Sequence, residues 1–135
     1  MDMKKLTLLI FTLLLFCYNL VSAQDDDSFV LTSNAIAIGE FSGDKPKFDG
    51  RRMENTDILF QKNLIKIDNE GQTTLKLRNK TNYSKDNSVA FRYDATDNYG
   101  KECVVMFEIY ADGSVLNIYY QEMNVYVRYY IVNKN

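Results

Sequence analysis

The chain has 135 residues, with 16 basic and 18 acidic side chains, no histidine and no tryptophan. Without histidine, Ser-His-Asp and Cys-His catalysis and the usual zinc sites are excluded. The formal net charge of −2 argues against a dedicated nucleic-acid binder, which would carry a basic surface.

The first 23 residues have the layout of a secretory signal. A short basic start (1–5) is followed by a twelve-residue apolar run, "LTLLIFTLLLFC" (6–17), and then by Val21 and Ala23 at the −3 and −1 positions of a signal-peptidase site. Twelve apolar residues are too few to span a bilayer, which needs about 20. We expect cleavage after Ala23 and export to the periplasm or the extracellular space. Lipidation at Cys17 is a minor alternative, because Phe16 precedes this cysteine where a small residue is usual.

Cleavage leaves 112 residues, enough for one domain, with 14 basic and 17 acidic side chains and a net charge of −3. The stretch "QDDDS" (24–28) opens an acidic leader that we place at 24–33. Its adjacent carboxylates repel one another and lack the alternating spacing of a calcium loop, so a solvated terminus is favoured. Residues 34–135 are then a single β domain, and no second apolar segment approaches transmembrane length.

The rest of the chain is rich in short β-type segments. Apart from a long loop predicted at 42–56 from Gly43, Gly50 and the only proline, Pro46, turn residues separate the segments. Eight strands are predicted, at 34–42, 57–61, 64–68, 73–79, 88–94, 102–110, 114–121 and 125–132. The fold class is all-β, an antiparallel meander that forms a small barrel or sandwich.

Turn signals set a register for the last three strands. With Asp112-Gly113 and Met123-Asn124 as two-residue turns, Ile109 faces Leu116 and Tyr120 faces Val127. An apolar face then continues across all three strands and includes Tyr120 and Tyr129, which we expect in the core.

The opposite face of these strands mixes aromatic, polar and charged side chains. In this register Tyr119 faces Arg128, and Tyr126 and Tyr130 lie on the same side. Tyrosine suits half-wet positions, with an apolar ring and a polar tip. Ordinary cross-strand packing explains such a face, and a contact surface made of Tyr119, Tyr126, Arg128 and Tyr130 is the functional alternative.

Few residues offer catalytic or metal-binding chemistry. Cys103 shares a face with Val105 and Phe107, and its predicted register partner is Glu122, so a buried structural thiol is favoured over a nucleophile. The stretch "DATDNYGKE" (94–102) reads as a turn, since its acidic spacing does not match a calcium loop. No cofactor motif and no metal site are predicted.

The carboxy-terminal third, "FRYDATDNYGKECVVMFEIYADGSVLNIYYQEMNVYVRYYIV", resembles small exported β-rich proteins of Bacteroidota-type bacteria, an uncharacterised group. In those proteins a Tyr-x-x-x-Asp-x-x-Gly-x-x-Cys segment precedes two hairpin strands with tyrosine near the end. The matching positions are Tyr93, Asp97, Gly100, Cys103, Tyr119 or Tyr120, and Tyr130. The resemblance implies export and a β-fold and transfers no active site. A second cysteine that often precedes the turn in the group is replaced by Asp94-Ala95 here.

These observations favour a non-catalytic exported β-domain that binds a protein or a surface glycan. The alternative is a lipocalin-like carrier of a small ligand, which would require the face bearing Tyr119 and Arg128 to line an interior cavity. An enzyme that uses Asp, Lys or Tyr is the least favoured hypothesis.

Overall fold

Eight β-strands follow one another along the chain, in a computed structural model that describes residues 28–69, 71–84 and 87–132. No helix occurs among these residues. The predicted signal peptide and residues 24–27 of the predicted acidic leader lie outside them. The strands are β1 (Phe29–Ser42), β2 (Lys45–Gln61), β3 (Leu64–Ile67), β4 (Thr73–Asn82), β5 (Ser88–Asp97), β6 (Glu102–Tyr110), β7 (Gly113–Tyr120) and β8 (Val125–Ile131).

Each strand pairs antiparallel with the next one, and β8 returns to pair with β1. The predicted meander of eight strands is therefore confirmed, and it closes as a barrel. Eight strands give an interior just wide enough to be filled by side chains.

The barrel interior is an apolar core to which all eight strands contribute. Alternation along each strand sends every second side chain inward, so a regular strand supplies one core residue in two. The buried cluster consists of Ile36, Ile58, Phe60, Ile65, Ile67, Leu75, Ala95, Cys103, Val105, Leu116, Ile118, Tyr129 and Ile131. Tyr129 lies in this core as predicted, and Tyr120 packs against it.

An irregularity in β1 changes which residues of that strand face inward. Ser33 pairs with Ile131 and Ala35 with Tyr130, so Asn34 is one extra residue relative to β8. Before this point Phe29 and Leu31 pack on the core, and after it Ile36 does. Such a bulge bends a strand and breaks its alternation. The expected leader at 24–33 is wrong in its second half, because residues from Phe29 onward belong to β1.

The long loop expected at 42–56 is wrong. β1 and β2 form a hairpin whose ladder runs to Ser42 and Lys45, with a turn at Gly43 and Asp44. Gly43 has a φ of 70°, which suits a glycine at a tight turn. We call the part of this hairpin from Gly39 to Arg51 the distal hairpin.

The predicted register of the last hairpins was wrong by two residues. Ile109 faces Ser114 and Tyr120 faces Val125, with turns at 111–112 and 121–124. A shift of two residues leaves every side chain on its predicted face. The core assignment therefore survives, although the individual pairs change.

Candidate functional site

The four residues predicted as a contact surface all lie on the outer wall of the barrel. Tyr119 faces Tyr126, and Arg128 faces Asn117. Tyr130 lies between Val115 of β7 and Ala35 of β1. The expected pairing of Tyr119 with Arg128 is therefore wrong, although the two residues share the predicted face.

Tyr126 is not available as a contact residue, because the distal hairpin covers it. Its side chain is 4% exposed, almost the same as that of the core residue Tyr129. The ring centroid of Tyr126 lies 5.5 Å from that of Phe41 and 5.6 Å from those of Phe48 and Tyr119. Phe41, Phe48, Tyr119 and Tyr126 thus form a second packed group, the outer aromatic cluster, outside the barrel wall.

Gly39 allows the distal hairpin to lie against the barrel. A Cβ atom at this position would be 2.1 Å from the carbonyl oxygen of Lys47 and 2.8 Å from the Cα of Phe48. Only a residue without a side chain permits this approach. Phe48, the register partner of Gly39, then contributes its ring to the outer aromatic cluster.

Asn124 fastens the same hairpin to the turn between β7 and β8. Its side-chain amide donates to the Phe41 carbonyl at 3.1 Å, and its Oδ1 accepts the Phe41 N–H at 3.0 Å. The Tyr119 hydroxyl also donates to this Oδ1 at 3.1 Å. Asn124 has a φ of 51°, a conformation that asparagine tolerates better than most residues.

Arg128 belongs to a hydrogen-bonded network that continues up the outer wall. Its Nε donates to the Asn117 Oδ1 at 2.7 Å, and its guanidinium lies 4.6 Å from the centroid of the Phe48 ring. The Asn117 amide donates to Glu108 at 3.2 Å, and the hydroxyls of Tyr83 and Tyr110 also donate to the Glu108 carboxylate. A buried amide thus joins a guanidinium to a carboxylate.

Three phenols of this wall, those of Tyr83, Tyr110 and Tyr126, have raised pKa values and stay protonated near neutral pH. The hydrogen bond of Tyr110 to Glu108, followed by burial, raises the pKa of Tyr110 to about 12. Burial, followed by the charge of Glu108, raises the pKa of Tyr83, and burial raises that of Tyr126. Tyr83 and Tyr110 donate to Glu108 as neutral phenols, and none of these three phenols is activated as a base.

Glu108 and Asn117 were not among the residues singled out from the sequence, although hydrogen bonds join both to the network of Arg128. Strand alternation alone identified their direction, and the neighbouring Arg128 was the available sign of a charge network. Tyr83 follows the end of β4, and its hydrogen bond to Glu108 spans 25 residues, so strand alternation gave no sign of it.

Tyr130 sits in the more open part of the wall. The Arg51 guanidinium lies 3.9 Å from the centroid of its ring, in cation–π contact. Beyond Tyr130, toward the end of β8, the same wall carries side chains that are apolar and exposed. Their exposed fractions are 56% for Val30, 37% for Tyr110 and 39% for Val132.

Four of the residues that carry the resemblance, Tyr93, Asp97, Gly100 and Cys103, lie on the β5–β6 hairpin. Asp97 accepts hydrogen bonds from the backbone N–H groups of Tyr99 and Lys101, both at 2.9 Å, and Gly100 has a φ of 81°. The predicted turn is confirmed between Asp97 and Glu102, whereas 94–97 belong to β5 and Glu102 begins β6. The Tyr120 hydroxyl also donates to Asp97 at 3.0 Å.

Cys103 is buried at the end of this hairpin, as predicted. Burial, followed by the charge of Asp97, raises the pKa of its thiol to about 12, so the thiolate needed for nucleophilic attack is not populated near neutral pH. Its expected pairing with Glu122 is wrong, since it faces Ala95 of β5, and the β6–β7 ladder begins one residue later.

Among the described residues, no group of three or more cysteine, aspartate or glutamate side chains is arranged to hold a metal ion. Within the same part of the chain, no helix has the length and apolar character needed to cross a membrane.

Comparison of the chain with protein-family models, with curated proteins and with solved structures finds no match. The resemblance to exported Bacteroidota-type proteins stays a prediction.

Proposed function

We propose that this protein is a non-catalytic exported β-domain that binds a partner protein through the outer wall of its barrel. Export rests on the signal layout of the first 23 residues. The interior is occupied by core side chains from all eight strands, which leaves the exterior for recognition. The lipocalin-like alternative has no comparable support, because Tyr119 and Arg128 project from the outside of the wall.

The observation that carries the proposal is an exposed apolar surface on β1, β6 and β8. The Val132 N–H donates to the Thr32 carbonyl at 3.1 Å, which brings Val132 close to Val30 along the wall. On the β7 side, Val132 lies next to Gly113, which is also the register partner of Tyr110. Because glycine has no side chain, it covers neither Val132 nor Tyr110. Val30, Tyr110, Tyr130 and Val132 are called the outer contact face.

The outer contact face has the character of a protein-binding site. Apolar patches rimmed by polar groups mark interaction surfaces, and tyrosine and arginine are enriched where binding energy concentrates. Tyr130 and Arg51 supply such a pair. The hydrogen bonds of the neighbouring Tyr110 to Glu108 fix one edge of the face, so little side-chain freedom is lost on binding.

The test is site-specific cross-linking in the source cell. A photoreactive amino acid at Val132 should give an adduct with one partner protein, whereas the same group at Tyr99, 71% exposed on the β5–β6 turn, should not. The identified partner should bind the purified wild-type chain, and Val132→Glu should weaken that binding at least about tenfold, because a charge would be buried in an apolar contact.

Three results would contradict the proposal. They are equal adducts at both positions, no adduct at Val132, and cell-surface binding that is abolished by periodate oxidation of glycans. Val132 is 39% exposed, so Val132→Glu should unfold at the wild-type denaturant concentration, which excludes a folding defect as the cause of lost binding.

A further inference from the structure

One edge of β2 has no strand beside it among the described residues. β2 spans 17 residues, but its ladder with β3 covers only Ile58 to Gln61. The Asp57 carbonyl accepts the Asp68 N–H at 2.9 Å, and beyond this bond no described strand follows the edge from Lys45 to Thr56. Unpaired edges of this kind are templates for the addition of another strand.

Only a short part of the edge is suited to pairing. Pro46 lacks an N–H, and the register with β1 shifts near Asp49 and Gly50 and again between Met53 and Thr56, opposite Asn34 of β1. The remaining stretch runs from Arg51 to Asn55, and the second shift lies opposite Asn34, where β1 is also irregular relative to β8. It contains Met53, whose side chain is 72% exposed, the highest value among the exposed large apolar residues.

Strand alternation determines which backbone groups of this stretch point outward. The Asp57 carbonyl points away from β1, toward β3. The Asp57 side chain accepts a hydrogen bond from Thr32, and Arg51 lies over Tyr130, so both residues are on the outer wall. They are six positions apart, an even number, so β2 keeps its alternation across the register shift between Met53 and Thr56. The backbone N–H and C=O groups of Arg51, Met53 and Asn55 therefore point to the open edge.

The side chains of the stretch are complementary to a second copy of themselves. In a two-fold antiparallel pairing centred on Met53, the backbone groups of Met53 in one copy face those of Met53 in the other. Arg51 of each copy then faces Asn55 of the other copy. Arg52 of each copy also faces Glu54 of the other copy, which gives two cross-strand ion pairs. Within one chain these two residues already form an ion pair at 2.8 Å, with side chains 68% and 40% exposed.

Charge also selects this register over its neighbours. A slip of two residues in one direction places Arg52 opposite Arg52, and a slip in the other direction places Glu54 opposite Glu54. Like charges directly opposite each other destabilise a strand pair. Slips of one residue bring outward backbone groups against inward ones and break the ladder.

We propose that two copies of this chain associate through the edge of β2, with Arg51 to Asn55 paired antiparallel about Met53. The interface is an extension of the barrel wall from one copy into the next, with four alternating charges on one side and the two Met53 side chains in contact on the other. A five-residue ribbon is a small interface, so the dimer is a weak one. The proposal does not rest on the partner-binding function, although Arg51 borders both surfaces.

Analytical ultracentrifugation of the purified protein over a concentration series tests this dimer. The wild type should pass from monomer to dimer, and Arg52→Glu should raise the dissociation constant at least about tenfold, because it turns both cross-strand ion pairs into repulsions. Arg52→Glu combined with Glu54→Arg should restore association. Lys66→Glu, the same charge change at an exposed position of β3, is the control and should associate as the wild type does.

The centre of the register has a separate test. Met53→Cys should form a disulfide-linked dimer under oxidising conditions, whereas Met123→Cys, at another exposed position, should stay monomeric. A wild type that remains monomeric throughout, a dimer unaffected by Arg52→Glu, or failure of the charge exchange to restore association would each overturn the proposal. The far-ultraviolet spectrum of each variant checks that it is folded.

Discussion

Tyr126→Ala should destabilise the protein as strongly as a core substitution, although Tyr126 lies outside the barrel. Its ring is 4% exposed and meets the rings of Phe41, Phe48 and Tyr119 at centroid distances of 5.5 to 5.6 Å. Truncation of a buried aromatic residue to alanine costs about 3–5 kcal/mol, which includes the cavity left behind. We expect a loss in this range in the free energy of unfolding.

Urea denaturation of three single variants measures this prediction. Tyr129→Ala, in the barrel core, is the reference for full burial and should lose a similar amount of free energy. Tyr99→Ala, at a position 71% exposed, should change the free energy of unfolding by no more than about 0.5 kcal/mol.

A double-mutant cycle between Tyr126 and Phe48 attributes the loss to the distal hairpin. Aromatic pairs at such distances contribute about 0.5–1.5 kcal/mol beyond the area they bury, so the coupling energy should be close to 1 kcal/mol. A Tyr126→Ala loss near that of Tyr99→Ala, or zero coupling with Phe48, would show that the hairpin does not cover the wall.

Two further predictions concern the hairpin and the titrating groups. Gly39→Ala should lower the free energy of unfolding by at least about 2 kcal/mol, because its Cβ would be 2.1 Å from the Lys47 carbonyl oxygen. Gly71→Ala is the control and should be nearly neutral, since its Cβ would meet nothing closer than 3.6 Å. Equal effects of the two substitutions in urea denaturation would contradict the close approach at Gly39. Stability should also fall as pH rises from about 9 to about 12, since Cys103 and Tyr110 have ordinary pKa values of 9.0 and 10.0 and folded values of about 12, so that the unfolded chain loses protons first. Denaturation at a series of pH values measures the slope, Tyr110→Phe should reduce it, and stability that is constant over this range would refute the assignment.

Much of the strand pattern could be predicted because β-strands leave a two-residue signature in the sequence. β6 spans 102–110 in both the prediction and the structure. The turns after β6 and β7 were misplaced, yet the error of two residues preserved the direction of every side chain. Core residues such as Tyr129 were therefore assigned correctly from a register that was wrong.

The full extent of β1 and β2 could not be predicted from the same rules. Pro46 and Gly50 signal a loop in isolation, but a ribbon with an open edge tolerates a missing N–H and a register shift. The change of face at Asn34 also conceals the alternation of β1, since Leu31 and Ile36 both pack on the core although they lie five residues apart.

The burial of Tyr126 depends on contacts between residues far apart in sequence, and this is why a local pattern misjudged it. Alternation gives the direction of a side chain relative to its own strand, but it does not say whether another segment lies over that face. Here the covering segment follows Gly39, a glycine inside a strand where a side chain would normally pack. Within "YYQEMNVYVRYYIV", Tyr126 and Tyr129 are thus both buried, one under the distal hairpin and one inside the barrel. Tyr130, held from one side by Arg51 and next to exposed valines, is the tyrosine of this stretch best placed to contact a partner.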